Sequence, residues 1–354
     1  MQSLLDPPVP QISSEPPHCA VFGKCGGCRY QDIPYQEELR IKNEEIKNIL
    51  CAQLVLPEDI FENICPSPQA YHYRHRLDLK LQRARNNAIL IGFSSEKFNH
   101  TVPIDSCPIA MTAISDFLPE LKKQAAARLS EKYRLANLVV RTGDDGRVLW
   151  GGIGRRSLRL KAEDYLWTEI HGRRIFYSLE NFFQANLSIL PRVIEKIQSW
   201  DILSKQTIFF DLYGGVGLFG LCLADAVGRV ILVEDGKVAV QLAHYNVQYH
   251  QLNNFQIMEG QVENLGASLL EGCLGGEKVV MVDPPRDGMR DAARQILSGR
   301  TDVRHLLYLS CQPQSLARDL ASFIKNGWVI TKICPFDFFP RTKHIETLAL
   351  LTKG

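Results

Sequence analysis

The sequence has no run of about twenty apolar residues, which is the length that a membrane-spanning helix needs. Residues 1–18 also lack the apolar core of a signal peptide and contain five prolines. These absences argue against membrane insertion and secretion. They predict a cytoplasmic protein with no membrane partner, and the prolines predict a flexible leader over residues 1–18.

The sequence also has little net charge. Its 41 basic and 39 acidic residues leave a formal charge of +2, which does not identify a partner because nucleic-acid affinity depends on where the basic groups lie. Two local patterns are more informative. Residues 74–81 and 155–161 alternate charged with apolar side chains at the period of a half-buried strand. Each stretch predicts either a basic surface for RNA or an ordinary solvated strand face.

The remaining patterns divide the chain into two parts. Residues 35–50 have the periodicity of an amphipathic helix, and residues 70–165 contain short strand patterns with one helix near 112–130. We therefore predict a cysteine segment and a β-rich RNA-binding domain over 19–180. From residue 181 the pattern becomes strand, turn, helix and strand, so residues 181–354 predict an α/β domain with a mainly parallel sheet covered by helices on both faces. The sequence shows no internal repeat.

A glycine-rich loop follows the first predicted strand of this second domain. Residues 211–220 read Asp-Leu-Tyr-Gly-Gly-Val-Gly-Leu-Phe-Gly and place backbone N–H groups at a helix start, where they can face a ligand. The spacing of its glycines allows a nicotinamide dinucleotide, while Asp211 before the loop favours S-adenosylmethionine. Glu234, at the end of the next strand, could accept ribose hydroxyls from either ligand. Asp283-Pro-Pro-Arg286 follows a later strand that its two prolines cannot continue, and it is either a plain loop or, as its resemblance to a methyltransferase motif implies, part of the ligand site.

Two reactive side chains follow strands near the end of the chain. Ser310-Cys311 follows the apolar strand predicted over 305–309, so Cys311 is either a nucleophile at the ligand edge of the sheet or a small core residue. Glu346 stands at the start of a final strand and is our candidate for a general base. His344 is the alternative base, although a histidine in this position is more often structural.

Five motifs in this order resemble the RNA uracil-5-methyltransferase family, and the resemblance covers residue 19 to the end. They are Asn181-Phe-Phe-Gln184-Ala-Asn186, Asp211-Leu-Tyr-Gly-Gly-Val-Gly217, Asp283-Pro-Pro-Arg-Asp-Gly288, Ser310-Cys311-Gln-Pro-Gln-Ser-Leu-Ala-Arg-Asp319-Leu320 and Phe339-Pro-Arg-Thr-Lys-His-Ile-Glu346. The resemblance implies a Rossmann-like class I methyltransferase sheet with a smaller β-rich domain.

The resemblance also implies roles for individual residues. Uracil carbon 5 attacks a sulfonium methyl group only after a thiolate has added at carbon 6, and a base must later remove the carbon-5 proton. Cys311 would be that nucleophile and Glu346 that base. Four residues would contact S-adenosylmethionine: Gln184, Tyr213, Glu234 and Asp283.

A group of cysteines precedes the first predicted helix. Cys19, Cys25 and Cys28 follow the pattern C-x5-C-x2-C, and by the resemblance Cys107 supplies a fourth ligand. Four thiolates suit a [4Fe-4S] cluster, which the resemblance favours, or a tetrahedral zinc ion. The cluster would be structural, because methyl transfer has no redox step.

The resemblance leaves the RNA substrate open between two classes. Iron-sulfur cysteines favour 23S rRNA, and a tRNA thymine-loop uridine is the alternative. Many relatives begin with a small β-barrel that grips RNA, and we expect this chain to lack it and to act as a monomer. Two other functions are weaker: a catalytically idle RNA-binding module, and a nicotinamide oxidoreductase that would use the glycine loop.

Overall fold

The structure is a computed structural model that describes residues 14–84, 88–95, 100–128, 134–152, 164–264, 270, 272 and 275–353. Two sequence predictions lie wholly or mostly outside these residues: the leader over 1–18, of which only 14–18 are described, and the second basic stretch, 155–161. Within the described residues, no helix is long and apolar enough to cross a membrane.

The described helices are α1 (Tyr35–Cys51), α2 (Thr112–Arg128), α3 (Leu190–Ser199), α4 (Leu218–Leu223), α5 (Lys237–Tyr249), α6 (Asp291–Ser298) and α7 (Pro313–Lys325). The strands are β1 (Arg76–Arg83), β2 (Ile89–Ser94), β3 (Thr101–Pro103), β4 (Leu135–Thr142), β5 (Val148–Gly152), β6 (Leu166–Ile170), β7 (Arg173–Tyr177), β8 (Thr207–Leu212), β9 (Arg229–Glu234), β10 (Phe255–Glu259), β11 (Glu277–Val282), β12 (Val303–Ser310), β13 (Trp328–Phe336) and β14 (Glu346–Lys353). The helices predicted over 35–50 and near 112–130 are confirmed as α1 and α2.

The N-terminal sheet is antiparallel and has the order β3-β2-β1-β4-β5. Strand β1 buries alternate side chains, as the sequence predicts for a half-buried strand. Its predicted basic face is only partly present, because Arg76 pairs with Asp78 at 2.8 Å between Nη2 and Oδ1. Arg74 precedes the strand and lines a pocket beside the N-terminal cysteines.

The C-terminal sheet has seven strands in the order β10-β9-β8-β11-β12-β14-β13. The first five are parallel to one another, and β14 and β13 run antiparallel beside them. Every residue of β8 is buried, because each face of the sheet carries its own apolar core. Helices α3 and α4 contribute to one core, and α6 and α7 to the other. The predicted mainly parallel α/β sheet is confirmed.

Helix α1 belongs by sequence to the N-terminal part but packs against the C-terminal sheet. Its apolar face buries Ile46 and Leu50 in the same core as α6 and α7. The hairpin β6–β7 likewise contributes Leu166 and Tyr177 to the opposite core. Elements from both parts of the chain therefore surround the larger sheet.

The carboxyl ends of the parallel strands meet at one edge of this sheet. Strands β8, β9, β11 and β12 end there at Leu212, Glu234, Val282 and Ser310, and the antiparallel β14 begins there at Glu346. Open α/β sheets bind ligands at this edge. The topology thus brings the residues predicted from separate motifs to one place.

Candidate active site

Cys311 and Glu346 come together at the end of one strand pair. In the antiparallel ladder between β12 and β14, Ser310 pairs with Thr347. One residue further along, Cys311 follows β12 and Glu346 begins β14, so the two occupy neighbouring positions. Residues that are far apart in sequence are thereby joined at the ligand edge of the sheet.

The electrostatics of the site confirm this proximity. Burial raises the pKa of the Cys311 thiol to about 12, and the nearby carboxyls of Glu346 and Asp283 raise it further, while Arg286 opposes them. Burial also raises the pKa of Glu346 well above its ordinary value, with the same added effect of Asp283 and the same opposition from Arg286. Asp283 and Arg286 thus act in opposite directions on both the Cys311 thiol and the Glu346 carboxyl.

The Glu346 carboxyl is available for a further interaction. The residue is only 4% exposed, and its Oε2 atom has no hydrogen-bond partner among the described residues. A buried carboxyl oxygen without a partner is costly, so such groups usually have a functional reason. Proton transfer with a bound substrate would supply that reason.

Gln184 and Asp283 form a second pair at the same edge. The Gln184 Nε2 donates to Asp283 Oδ2 at 3.1 Å. Burial raises the pKa of Asp283 to about 7, and the hydrogen bond from Gln184 partly counters that rise. The polar ends of the two side chains therefore lie together beside Cys311 and Glu346.

Arg141 holds the segment that leads to Gln184, a role that the sequence patterns did not reveal. Its guanidinium is fully buried and donates to the carbonyls of Ser178, Asn181 and Phe183 at 2.6, 2.9 and 2.9 Å. It also lies 4.6 Å from the ring centroid of Tyr177. A charged residue near the end of the otherwise apolar β4 was the available signal.

The glycine loop is braced by acidic side chains. Gly217 has φ +95° directly before α4, a conformation that favours glycine. Asp211 accepts a hydrogen bond from the Gly220 N–H at 2.8 Å, and Glu234 accepts from the Gly215 and Gly236 N–H groups at 3.0 and 2.7 Å. Asp211 therefore shapes the loop.

Two residues of this region, Tyr213 and Glu234, can form further hydrogen bonds with a ligand. A carboxylate has about four lone-pair sites, so Glu234 can accept further hydrogen bonds beyond its two backbone donors. The Tyr213 hydroxyl is buried and has no partner among the described residues. Tyr213 also has φ +60°, an uncommon value for a residue with a side chain. Both features suit a bound molecule at the loop.

Asp319 stabilises the loop that follows Pro284 and Pro285. The sequence motif that contains Asp319 did not predict this function. Its Oδ2 accepts from the Met289 N–H at 2.8 Å and from the Tyr308 hydroxyl at 2.6 Å, and its Oδ1 accepts from Arg294 at 2.8 Å. This fully buried carboxylate fixes the chain after Asp283. A single aspartate on the apolar side of α7 is the sequence feature that could have predicted this role of Asp319.

The four predicted cysteine ligands line one pocket. Cys19, Cys25, Cys28 and Cys107 all contribute to its wall, together with Gln31. Burial raises the pKa of Cys28 to about 12, and the other three thiols raise it further. Yet no set of three or more His, Cys, Asp or Glu side chains within the described residues is arranged to hold a single metal ion.

Comparisons with known proteins place the chain in a family. The model of the family described as tRNA (Uracil-5-)-methyltransferase matches residues 155–354. A protein of Thermosynechococcus vestitus named as an uncharacterized RNA methyltransferase is 29% identical over 95% of this chain and 84% of its own length. A 23S rRNA (uracil(1939)-C(5))-methyltransferase of Pseudomonas savastanoi pv. phaseolicola is 28% identical over 94% of this chain and 79% of its own length.

A solved structure shares the fold across both parts of the chain. The Pyrococcus abyssi tRNA (uracil-54, C5)-methyltransferase, solved with S-adenosyl-L-homocysteine, has a TM-score of 0.72 and 21% identity. The similarity covers 91% of this chain and 84% of that one. The family match spans more than half of the chain and includes both Cys311 and Glu346. The chain therefore belongs to the tRNA (uracil-5-)-methyltransferase family and is an RNA uracil-5-methyltransferase.

Proposed function

We propose that this enzyme methylates carbon 5 of one uridine in 23S rRNA, with Cys311 as the nucleophile and Glu346 as the base. The β12–β14 ladder is the observation that supports these roles, because Cys311 and Glu346 lie one residue beyond its last pair, Ser310 and Thr347. The reaction needs both groups at the same carbon–carbon bond of one base.

The proposed reaction uses the two residues in sequence. The Cys311 thiolate adds to carbon 6, and the electrons of the 5,6 double bond move towards O4, which makes carbon 5 an enolate carbon. Bound S-adenosylmethionine supplies the electrophilic methyl group. Glu346 then takes the remaining proton from carbon 5, the double bond re-forms, and the carbon–sulfur bond to Cys311 breaks. The products are 5-methyluridine, S-adenosylhomocysteine, the protonated carboxyl of Glu346 and the free Cys311 thiolate.

Four residues are proposed to hold S-adenosylmethionine: Gln184, Tyr213, Glu234 and Asp283. Two observations support the fit: the spare acceptor capacity of Glu234 and the unpartnered Tyr213 hydroxyl. Asp283 lies between this loop and Cys311 in the strand order. A cationic donor here would favour the ionised forms of Cys311 and Glu346, acting in the same direction as Arg286.

Glu346 is preferred to His344 as the base on two grounds. Burial and the positive charges of Arg286 and Lys343 lower the pKa of His344 to about 4, so its imidazole holds a proton only weakly. In addition, Glu346 is the residue that adjoins Cys311 at the end of the ladder. The unpartnered Oε2 gives Glu346 a place to receive the proton.

The choice of 23S rRNA rests on the relatives that are similar along nearly the whole chain. Two of them carry names that specify uracil 1939 of 23S rRNA, at 28% and 26% identity. The alternative is a tRNA uridine, because the Pyrococcus abyssi protein of similar fold is a tRNA (uracil-54, C5)-methyltransferase. In either RNA the target base must leave its stack to reach Cys311, which favours a loop nucleotide.

Labelling of unmodified RNA distinguishes these substrates. Transcribed 23S rRNA and tRNA are incubated separately with the enzyme and methyl-labelled S-adenosylmethionine, and the nucleosides are identified by mass spectrometry. We expect 5-methyluridine in the rRNA alone. Label in the tRNA alone would make tRNA the substrate, and no 5-methyluridine in either RNA would contradict the proposed function.

We also propose that the four pocket cysteines bind a [4Fe-4S] cluster. A single zinc ion needs its sulfurs within about 4 Å of one another, given Zn–S bonds of about 2.3 Å in a tetrahedron. A cluster places one thiolate on each of four irons, and the four cysteines around one pocket match that number. The buried Gln31 amide lies against the Cys28 thiol and lines the same pocket, where it could donate to a cluster sulfur.

Replacing Cys107 with serine should abolish cluster binding. Anaerobically purified wild-type protein should contain about four irons and four sulfides per chain, and Cys107→Ser should contain far less of both. Cys51→Ser is the matched control, since Cys51 is exposed and lies outside the pocket. One zinc per wild-type chain, without iron or sulfide, would contradict the cluster and favour the zinc alternative.

A further inference from the structure

The segment that precedes Glu346 is held by residues from the other end of the chain. Three consecutive carbonyls, those of Phe339, Pro340 and Arg341, all accept hydrogen bonds from residues between 29 and 73. Residues 337–342 follow β13 and lead towards Glu346 at the start of β14, so the position of this segment affects the position of the proposed base. We call residues 337–342 the β13–β14 connection.

Lys42 makes the central contacts. Its ammonium group donates to Glu38 and Asp337 at 2.7 Å each and to the carbonyl of Phe339 at 3.1 Å. An ammonium group has three donors, so all of them are used. The side chains of Lys42, Glu38 and Asp337 are each 0% exposed. Such a network holds one arrangement, since each displaced partner would leave a buried charge unpaired.

Two further N-terminal groups hold the middle of the connection. The Tyr73 hydroxyl donates to the Pro340 carbonyl at 2.9 Å, and Tyr73 is fully buried. The carbonyl of Arg341 accepts from the backbone N–H groups of Arg29 and Tyr30 at 2.7 and 3.1 Å. These two donors directly follow Cys28, one of the pocket cysteines.

Arg341 itself is fixed from several sides. Its backbone N–H donates to Glu38 at 2.7 Å, and its guanidinium donates to the carbonyls of Tyr30 and Ile33 at 3.2 and 2.9 Å. Its φ is +67°, which is uncommon for a residue with a side chain and persists only where the surroundings enforce it. The contacts from α1 and from the chain before it supply that enforcement.

We infer that Lys42 is a positioning residue for the proposed base Glu346, acting through Asp337 and the Phe339 carbonyl. Tyr73 acts in the same way through Pro340. The inference depends on the proposed role of Glu346. Loosening the connection displaces the base from carbon 5, while Cys311, which directly follows β12, keeps its place. The proton-removal step therefore slows more than the steps before it.

A residue that merely stabilises the fold would lower every step in proportion. Loss of a positioning residue instead slows one step more than the others. The RNA still becomes attached to Cys311 and methylated, but its release from Cys311 is slow. The amount of covalent RNA–protein complex that resists denaturation therefore distinguishes the two roles. A displaced base of this kind typically costs on the order of tenfold to a hundredfold in rate.

The experiment compares Lys42→Met and Tyr73→Phe with the wild-type holoenzyme and with Glu346→Gln. Lys47→Met is the matched control, because Lys47 lies on the same helix and pairs with Glu58 at the surface. We expect both test variants to release methylated RNA about ten times more slowly and to accumulate the covalent complex, with adduct formation within about threefold of wild type. Lys47→Met should match the wild-type protein.

The possible results distinguish a failure of this inference from a failure of the proposed role of Glu346. If Tyr73→Phe and any folded Lys42→Met accumulate no more complex than Lys47→Met, while Glu346→Gln does accumulate it, the inference is wrong and the role of Glu346 stands. Should Lys42→Met fail to fold, Tyr73→Phe alone decides. No complex with Glu346→Gln would overturn the role of Glu346 and this inference with it.

Discussion

Replacing Glu346 with glutamine is expected to stop the reaction after methyl transfer. Glutamine keeps the size of the side chain but cannot take the carbon-5 proton, so the methylated base stays bonded to Cys311. Turnover should fall by about 10²- to 10⁴-fold, the usual contribution of a positioned base. Denaturing gel electrophoresis should then show a stable RNA–protein complex that carries the transferred methyl group.

Because Glu346 is buried, Glu346→Gln tests its role as the base without other large effects on the site. Because burial raises its pKa and so favours the uncharged carboxyl, a neutral amide of the same size introduces no new charge into the buried site. Glu277→Gln is a suitable control, since Glu277 begins β11 and its side chain is 45% exposed. Full turnover by Glu346→Gln, or a loss of turnover without any complex, would rule out Glu346 as the base.

Replacing Cys311 with alanine is expected to abolish 5-methyluridine formation, a loss on the order of 10⁴-fold or more. No thiolate then adds to carbon 6, so carbon 5 never becomes nucleophilic enough to react. Binding of S-adenosylmethionine, measured by calorimetry, should persist because Cys311 is outside the proposed cofactor contacts. Label incorporation into RNA measures the loss.

A double variant strengthens this prediction. Cys311→Ala combined with Glu346→Gln should form no covalent complex, since the bond that Glu346→Gln preserves is the one to Cys311. Cys51→Ala is the control, because Cys51 is exposed at the end of α1. Activity of Cys311→Ala above about a tenth of wild type would indicate direct methylation and contradict a covalent route.

The sequence was sufficient to predict the α/β sheet and the position of Cys311 at a strand end. Mainly apolar segments such as Thr207–Leu212 are typical of strands buried on both faces, and β8 is such a strand. Periodicity could not show that β14 inserts antiparallel between β12 and β13, which is what brings Glu346 to Cys311. Pairing between distant strands depends on contacts that no local pattern encodes.

The environment of single charged residues was the harder part to predict. Arg74 continues the alternation of β1 in the sequence, yet the strand begins at Arg76 and Arg74 lies at the cysteine pocket. Strand ends are the least certain feature of a pattern. Lys42 likewise belongs to an amphipathic helix, where charge predicts exposure, but its partner Asp337 is 295 residues away and buries it.

Peptide mass spectrometry of the complex trapped by Glu346→Gln tests the central claim most directly. After digestion with ribonuclease and protease, we expect one modified peptide, containing Cys311, whose added mass equals that of one 5-methyluridine nucleotide, because addition of the thiol across the 5,6 double bond loses no atoms. The same modification on another cysteine, or methylated RNA with no modified peptide at all, would contradict the covalent role of Cys311.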